Sequence, residues 1–148
     1  MGRINRSSLP DGLFHVSSRG VCDTVIYVDD LDRCGFIDLL RRCARSYGWR
    51  CHAFCLMTTH YHLVLETRRV QLSRGLHWLN WSYASSFNAR HSRHGHLFAN
   101  RFSAQPIESE DYLFDACAYV ILNPVKARLC DRTEQWPWSF SRYGLEAV

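Results

Sequence analysis

Two histidines separated by one residue, within Thr59-His60-Tyr61-His62-Leu63-Val64-Leu65, are the side chains of this sequence best suited to chemistry. In a β-strand alternate side chains share a face, so His60 and His62 would project together and could chelate one metal ion. Tyr61, Leu63 and Leu65 would then point the other way, into a core. Two imidazoles still need a further ligand, and spacing alone leaves open a plain pair of surface histidines on a half-exposed strand. A second group lies at Tyr119 and Asn123, four residues apart and therefore on one face of a helix, where they could present a nucleophile and an amide ligand together. A phenol, with an ordinary pKa of about 10, attacks phosphorus well only with help from a metal or a base, and Asp115 one turn earlier is a candidate for the latter. The same residues also fit a tyrosine docked at the edge of a core and an asparagine capping a turn before Pro124.

The elements that would carry these residues can be traced from periodicity. Gly12 to Ser18 alternates and reads as a strand ended by Gly20. A helix capped by Asp30 or Asp32 follows, with Phe36, Leu39, Leu40, Cys43 and Ala44 at helical spacing up to Gly48. Trp49 to Met57 and His60 to Thr67 form a hairpin across Thr58 and Thr59. A helix over about Ser73 to Ala89, a polar basic link, and a strand from His96 to Ile107 come next. Ser109, followed by Glu110 and Asp111, opens a third helix that reaches Asn123, after which Pro124 restarts a short helical turn and a Trp-rich tail ends the chain. This order implies an α+β fold, a ferredoxin-like antiparallel sheet with its helices on one face and the other face free for a substrate.

Bulk properties narrow the function classes. One domain over residues 1–148 is expected, since a chain of this length can bury its own core. The longest apolar stretches fall short of a membrane span, and the N-terminus with Arg3 and Arg6 lacks the apolar run of a signal peptide, so a cytoplasmic protein is expected. The seven cysteines are odd in number, scattered and without a C-x-x-C pair, which argues against a disulfide framework or zinc ribbon. Cys51 and Cys55 alone could supply a zinc site near His60. Eighteen Lys plus Arg, nearly all arginine, stand against fourteen Asp plus Glu, and arginine's planar fork suits phosphate.

Several blocks in order resemble one family: Phe14-His15-Val16-Ser17-Ser18-Arg19-Gly20, Tyr27 to Arg33, Cys55 to Leu63, Gly95-His96-Leu97-Phe98-Ala99-Asn100-Arg101-Phe102, and Tyr119 to Ala127. Together they resemble the bacterial single-tyrosine transposases of the IS200-like group, most closely the branch associated with repetitive extragenic palindromes, over nearly the whole chain. Thr59 departs from the asparagine usual before the first histidine. The resemblance implies a bacterial enzyme in which His60 and His62 bind Mg²⁺ or Mn²⁺, Asn123 stands where relatives use a glutamine as third ligand, and Tyr119 attacks a DNA phosphate. A 5′-phosphotyrosine link and a free 3′-hydroxyl would result.

The implied substrate is single-stranded DNA carrying a hairpin, which calls for arginine at phosphates and surfaces on which bases can stack. Arg68, Arg69, Arg74, Arg93, Arg101 and Lys126 are the candidate DNA-binding residues, with Arg101 first among them. Trp49, Trp78 and Trp81 read as packing residues. The resemblance leaves a monomer and a homodimer both open. The other reading is a domesticated relative that binds hairpin nucleic acid without cutting it, against which the intact Tyr119 and both histidines weigh.

Overall fold

The computed structural model describes residues 11–99 and 101–143; Arg3, Arg6 and Asn100 lie outside the described residues. Five antiparallel strands form one sheet: β1 (Gly12–Arg19), β2 (Arg50–Leu56), β3 (His60–Thr67), β4 (Ser103–Ile107) and β5 (Ser139–Ser141), in the order β4-β1-β3-β2-β5. Its first four strands with α1 (Asp30–Tyr47) and α2 (Arg69–Arg90) give the expected ferredoxin-like α+β arrangement. Among the described residues, no helix is long and apolar enough to cross a membrane.

Alternation along the central strands divides the sheet chemically. Phe14, Val16, Tyr61, Leu63 and Leu65 are fully buried and meet Phe36, Leu40 and Cys43 of α1 and Leu72, Leu76, Leu79, Tyr83 and Phe87 of α2. Each such aliphatic side chain contributes about 1.5–3 kcal/mol by leaving water. The third helix, α3 (Glu110–Lys126), does not join this layer. Its stripe Leu113, Cys117 and Val120 packs on Val64, Ala53 and Cys55, the opposite face of β2 and β3. The expectation that all helices share one face is corrected here: α1 and α2 cover one side, and α3 lies on the other. The reason is in the strands, because Val64 and Cys55 put apolar groups on the second face and α3 carries a matching i, i+4, i+7 stripe.

Several boundaries also differ from expectation. Asp29, not Asp30 or Asp32, caps α1: its backbone is extended and its side chain accepts from the Asp32 N–H, whereas the other two are already helical. Gly48 ends α1 at φ 67, where a side chain would be strained. Helix α2 begins four residues earlier than its apolar stripe suggested, at Arg69. The expected strand over 96–107 shrinks to β4, because 96–99 meets the chain at the end of β1 as an isolated bridge between Gly20 and Phe98. Helix α3 runs through Pro124 to Lys126, since a proline this near the end removes just one backbone bond. Part of the Trp-rich tail adds as β5, the edge strand beside β2. Arg33 holds this tail from the α1 side, with its guanidinium over the rings of Trp136 and Trp138 at 5.4 and 5.9 Å and a hydrogen bond to the Met57 carbonyl.

Helix α2 closes on Trp49, just past the end of α1, at Gly75, where a Cβ would sit 2.2 Å from the Trp49 ring. The indole N–H of Trp49 donates to the Gln71 carbonyl at 3.0 Å, so the ring cannot swing aside without losing that bond. Gly75→Ala should therefore destabilise the protein by about 1–3 kcal/mol, read as a lower urea midpoint at unchanged slope. An unchanged midpoint would contradict this packing.

Candidate functional site

The register between β1 and β3 pairs Ser17 with His62 and Arg19 with His60, and β1 pairs Ser17 in turn with Ser103 of β4. Residues directly opposite in antiparallel strands share a face, so a polar row crosses the sheet at the end of β3 that α3 leaves open. His60 and His62 do project together, with ring centroids 5.1 Å apart. They line a small cavity of about 140 Å³ with Ser17, Arg19, Arg101 and Ser103. A larger cavity of about 490 Å³ adjoins it, walled by His15, His62, Gln105, Asp115 and Tyr119.

The helical tyrosine reaches this place from the far side of α3's packing stripe. Leu113, Cys117 and Val120 face the sheet, which turns Asp115 and Tyr119 toward the rim of the cavity. Tyr119 remains 43% exposed, with its ring 5.9 Å from that of His62 and 5.6 Å from that of His15, edge-on to both. The Lys126 ammonium lies over the Tyr119 ring at 4.8 Å. Sequence separation between His62 and Tyr119 is thus closed by the fold.

His15 is the site residue that sequence reasoning passed over. It sits on β1 with its Nε2 3.1 Å from Nδ1 of His62, one hydrogen being shared between them. His60 is held in the same way, its Nδ1 lying 3.2 Å from the Thr59 hydroxyl. Thr59 therefore takes a definite role despite departing from the family pattern, and the turn it occupies is fixed by bonds from the Gly20 N–H to its carbonyl and from the Ile26 N–H to that of Thr58. The signal for His15 was its place in an alternating strand, two residues before Ser17, but nothing in the sequence specified which residue of β3 it would face. Arg19, Ser17 and Gln105 were passed over for the same reason.

Burial shifts all three histidines in one direction. Loss of hydration lowers His15, takes His60 to about 4 with help from the positive Arg19, and takes His62 to about 3 with help from its histidine neighbours. At neutral pH these rings are uncharged bases. When the hydrogen of each of these contacts sits on Nδ1 of His60 and His62, Nε2 of each ring is the lone-pair donor, the state a divalent cation requires. The residues present thus fit such an ion. Among the described residues there is no group of three or more His, Cys, Asp or Glu able to hold a metal, so no closed zinc cage including Cys51 or Cys55 is formed. Remaining positions around an ion would fall to amide oxygen, water or phosphate.

The other candidate residues are distributed unevenly. Arg101 lines the histidine cavity. Asn123 lies on the Tyr119 face of α3, but its side-chain N–H donates to the Tyr119 carbonyl at 2.8 Å and it lines neither cavity. Arg68, Arg69 and Arg74 lie beyond the Thr67 end of β3, roughly 20 Å along the strand from His60, and are not brought to the site. Arg93 donates to the Asn88 side chain and to the carbonyls of Gly95 and His96, bracing the link between α2 and the 96–102 segment.

The lowered histidines make stability depend on pH in a defined sense. The unfolded chain takes up protons near 6.5, the ordinary histidine value, while the folded chain resists down to about 4 at His60 and about 3 at His62. Their contribution to stability is therefore complete above 6.5 and is lost as pH falls toward 3. In EDTA, the thermal midpoint of the parent should fall more steeply between about pH 7.5 and about pH 4.5 than that of a His60→Asn/His62→Asn variant. Parallel curves would contradict the burial of these rings.

Residues 24–122, which include both histidines and Tyr119, match the family model described as "Transposase IS200 like". Curated protein sequences give no match. Among solved structures, a REP-associated tyrosine transposase bound to a REP hairpin superposes with a TM-score of 0.70 over 94% of this chain and 82% of its own, at 14% identity. A protein from Deinococcus radiodurans R1, assigned as a transposase, superposes with a TM-score of 0.51 over 80% of this chain and 95% of its own, at 17% identity. The fold is common to all three, and the extent of the family match shows that this chain belongs to the IS200-like transposases.

Proposed function

We propose that this transposase cuts and rejoins single-stranded DNA beside a hairpin, with Tyr119 as the nucleophile and a divalent cation, Mg²⁺ or Mn²⁺, held by His60 and His62. The observation that carries the reading is the approach of the Tyr119 ring to His62 and His15 across one cavity, although the three residues come from three elements. The structural relative bound to a REP hairpin supports the substrate class.

In the proposed reaction the Tyr119 oxygen bonds to phosphorus as the bond from phosphorus to the 3′-oxygen breaks. The 3′-oxygen takes up a proton and leaves as a free hydroxyl, while the 5′ side stays joined to the protein as a phosphotyrosine. The phenolic proton passes to a base on the same wall, where Asp115 and His15 both line the cavity. Reversal by another 3′-hydroxyl rejoins a strand and frees the tyrosine. A divalent cation at the histidine pair would offset charge building on the scissile phosphate and ease ionisation of the phenol. The chain's own contribution is positional: with the shared hydrogen on Nδ1 of His62, His15 fixes that ring and leaves Nε2 as its lone-pair nitrogen. Arg101 supplies a guanidinium for a phosphate beside it. An oxygen ligand from Asn123 would require its amide to turn from the Tyr119 carbonyl.

Purified protein with Mn²⁺ and single-stranded DNA carrying a palindromic hairpin should give a covalent adduct on a denaturing gel. The adduct should be absent with EDTA or in Tyr119→Phe, and slowed by about a hundredfold or more in His60→Ala. Hairpin binding without any adduct from the parent would instead support a domesticated, non-cleaving protein. His15→Ala should weaken Mn²⁺ affinity, measured by calorimetry, by about 10–100-fold with the fold retained; unchanged affinity would remove His15 from its positioning role.

A further inference from the structure

Trp81 was expected to pack, yet it is 70% exposed on α2, a helix whose Tyr83 and Phe87 are buried. Its indole stands on the wall of a groove of about 250 Å³, together with His77, Asn80, His96, Ala99 and Arg101. Ala99 and Arg101 also line the cavity that holds His60 and His62, so the two hollows share a wall. That wall is fixed: the Val21 N–H donates to the Leu97 carbonyl and the Ala99 N–H to the Arg19 carbonyl, both at 2.8 Å. The groove's inner side is equally firm, since Asn80 accepts from the buried Tyr61 hydroxyl at 2.6 Å and donates to Ser18 at 3.2 Å.

We propose that this groove receives an unpaired base of the DNA strand, stacked on Trp81, with the neighbouring phosphate at Arg101 on the way to the histidine cavity. The proposal rests on the reading of the site as a DNA-cleaving centre and names where the strand adjoining it runs. Three features select a nucleotide. An exposed indole offers a flat apolar surface that any base can cover. Arg101 offers a planar donor to phosphate. Among the described residues no carboxylate lines the groove, so none of them repels a polyanion there. Burying Trp81 against a base also removes an exposed aromatic surface that no other part of the described chain covers.

The probe is a strand of about twelve thymidylates compared with a strand of equal length in which every base is absent and every phosphate kept. Binding is measured by fluorescence anisotropy with the Tyr119→Phe protein, so that no covalent product forms. The thymidylate strand should bind about tenfold or more tightly than the abasic one. Trp81→Ala in the same protein should bring the two affinities together by weakening only the thymidylate strand, and Trp81→Phe should restore part of the difference. Arg101→Ala should weaken both strands alike. Circular dichroism controls for folding, which an exposed side chain should not disturb. Absence of discrimination in the first protein, or its persistence after Trp81→Ala, would overturn the proposal. A protein that discriminates but forms no adduct when Tyr119 is intact would instead sink the cleavage reading and leave the groove standing.

Discussion

The pairing of β1 with β3 is the constraint on which the site depends. With Ser17 opposite His62 and Arg19 opposite His60, every odd-numbered residue from Tyr61 to Leu65 enters the core beneath α1 and α2. A slip of one residue would turn both histidines into that core and put three large apolar side chains into solvent. The hydrophobic layer thereby sets the direction of the imidazoles, and the energy that holds them there is spread over the whole helix-facing side. His15 depends on the same pairing, because only this register sets its Nε2 against Nδ1 of His62.

A second layer completes what the sheet begins. Helix α3 uses Leu113, Cys117 and Val120 to hold to the face that carries the histidines, and the neighbouring stripe of the same helix presents Asp115, Tyr119 and Lys126. Packing and chemistry are interleaved on one helix, roughly 100° apart for adjacent residues. A tyrosine borne on a separate helix can approach the histidines without sharing their backbone. Ser109 fixes where that helix starts, its hydroxyl accepting from the Tyr112 N–H at 3.2 Å.

Much of this could be read in the amino-acid sequence, and what could not has a physical cause. The shared face of His60 and His62, the turning of Tyr61 to the opposite, buried face, the hairpin and the Ser109 cap all follow from local rules of period and capping. Long-range register does not, which is why His15, Ser17 and Arg19 were not placed beside the histidines. The side on which α3 docks depends on Val64 and Cys55 being covered, a tertiary matter that the helix stripe alone leaves undecided. Trp81 departs from the packing expected of it because aromatic spacing on a helix describes the average face, whereas this ring is 70% exposed and stands on the wall of a groove. The arginines after β3 were grouped with the site by nearness in sequence, although the strand carries them away from it.

The central claim is that the fold brings Tyr119 to the histidine pair in order to bond it to DNA. Its most direct test is mass spectrometry of protein reacted with hairpin-bearing single-stranded DNA, digested with nuclease and then with trypsin. The peptide spanning 102–126 contains both Tyr112 and Tyr119, and so provides its own internal comparison. Fragmentation should place the residual nucleotide on Tyr119. A nucleotide on Tyr112 or on another side chain, or cut DNA with no modified peptide, would contradict the account.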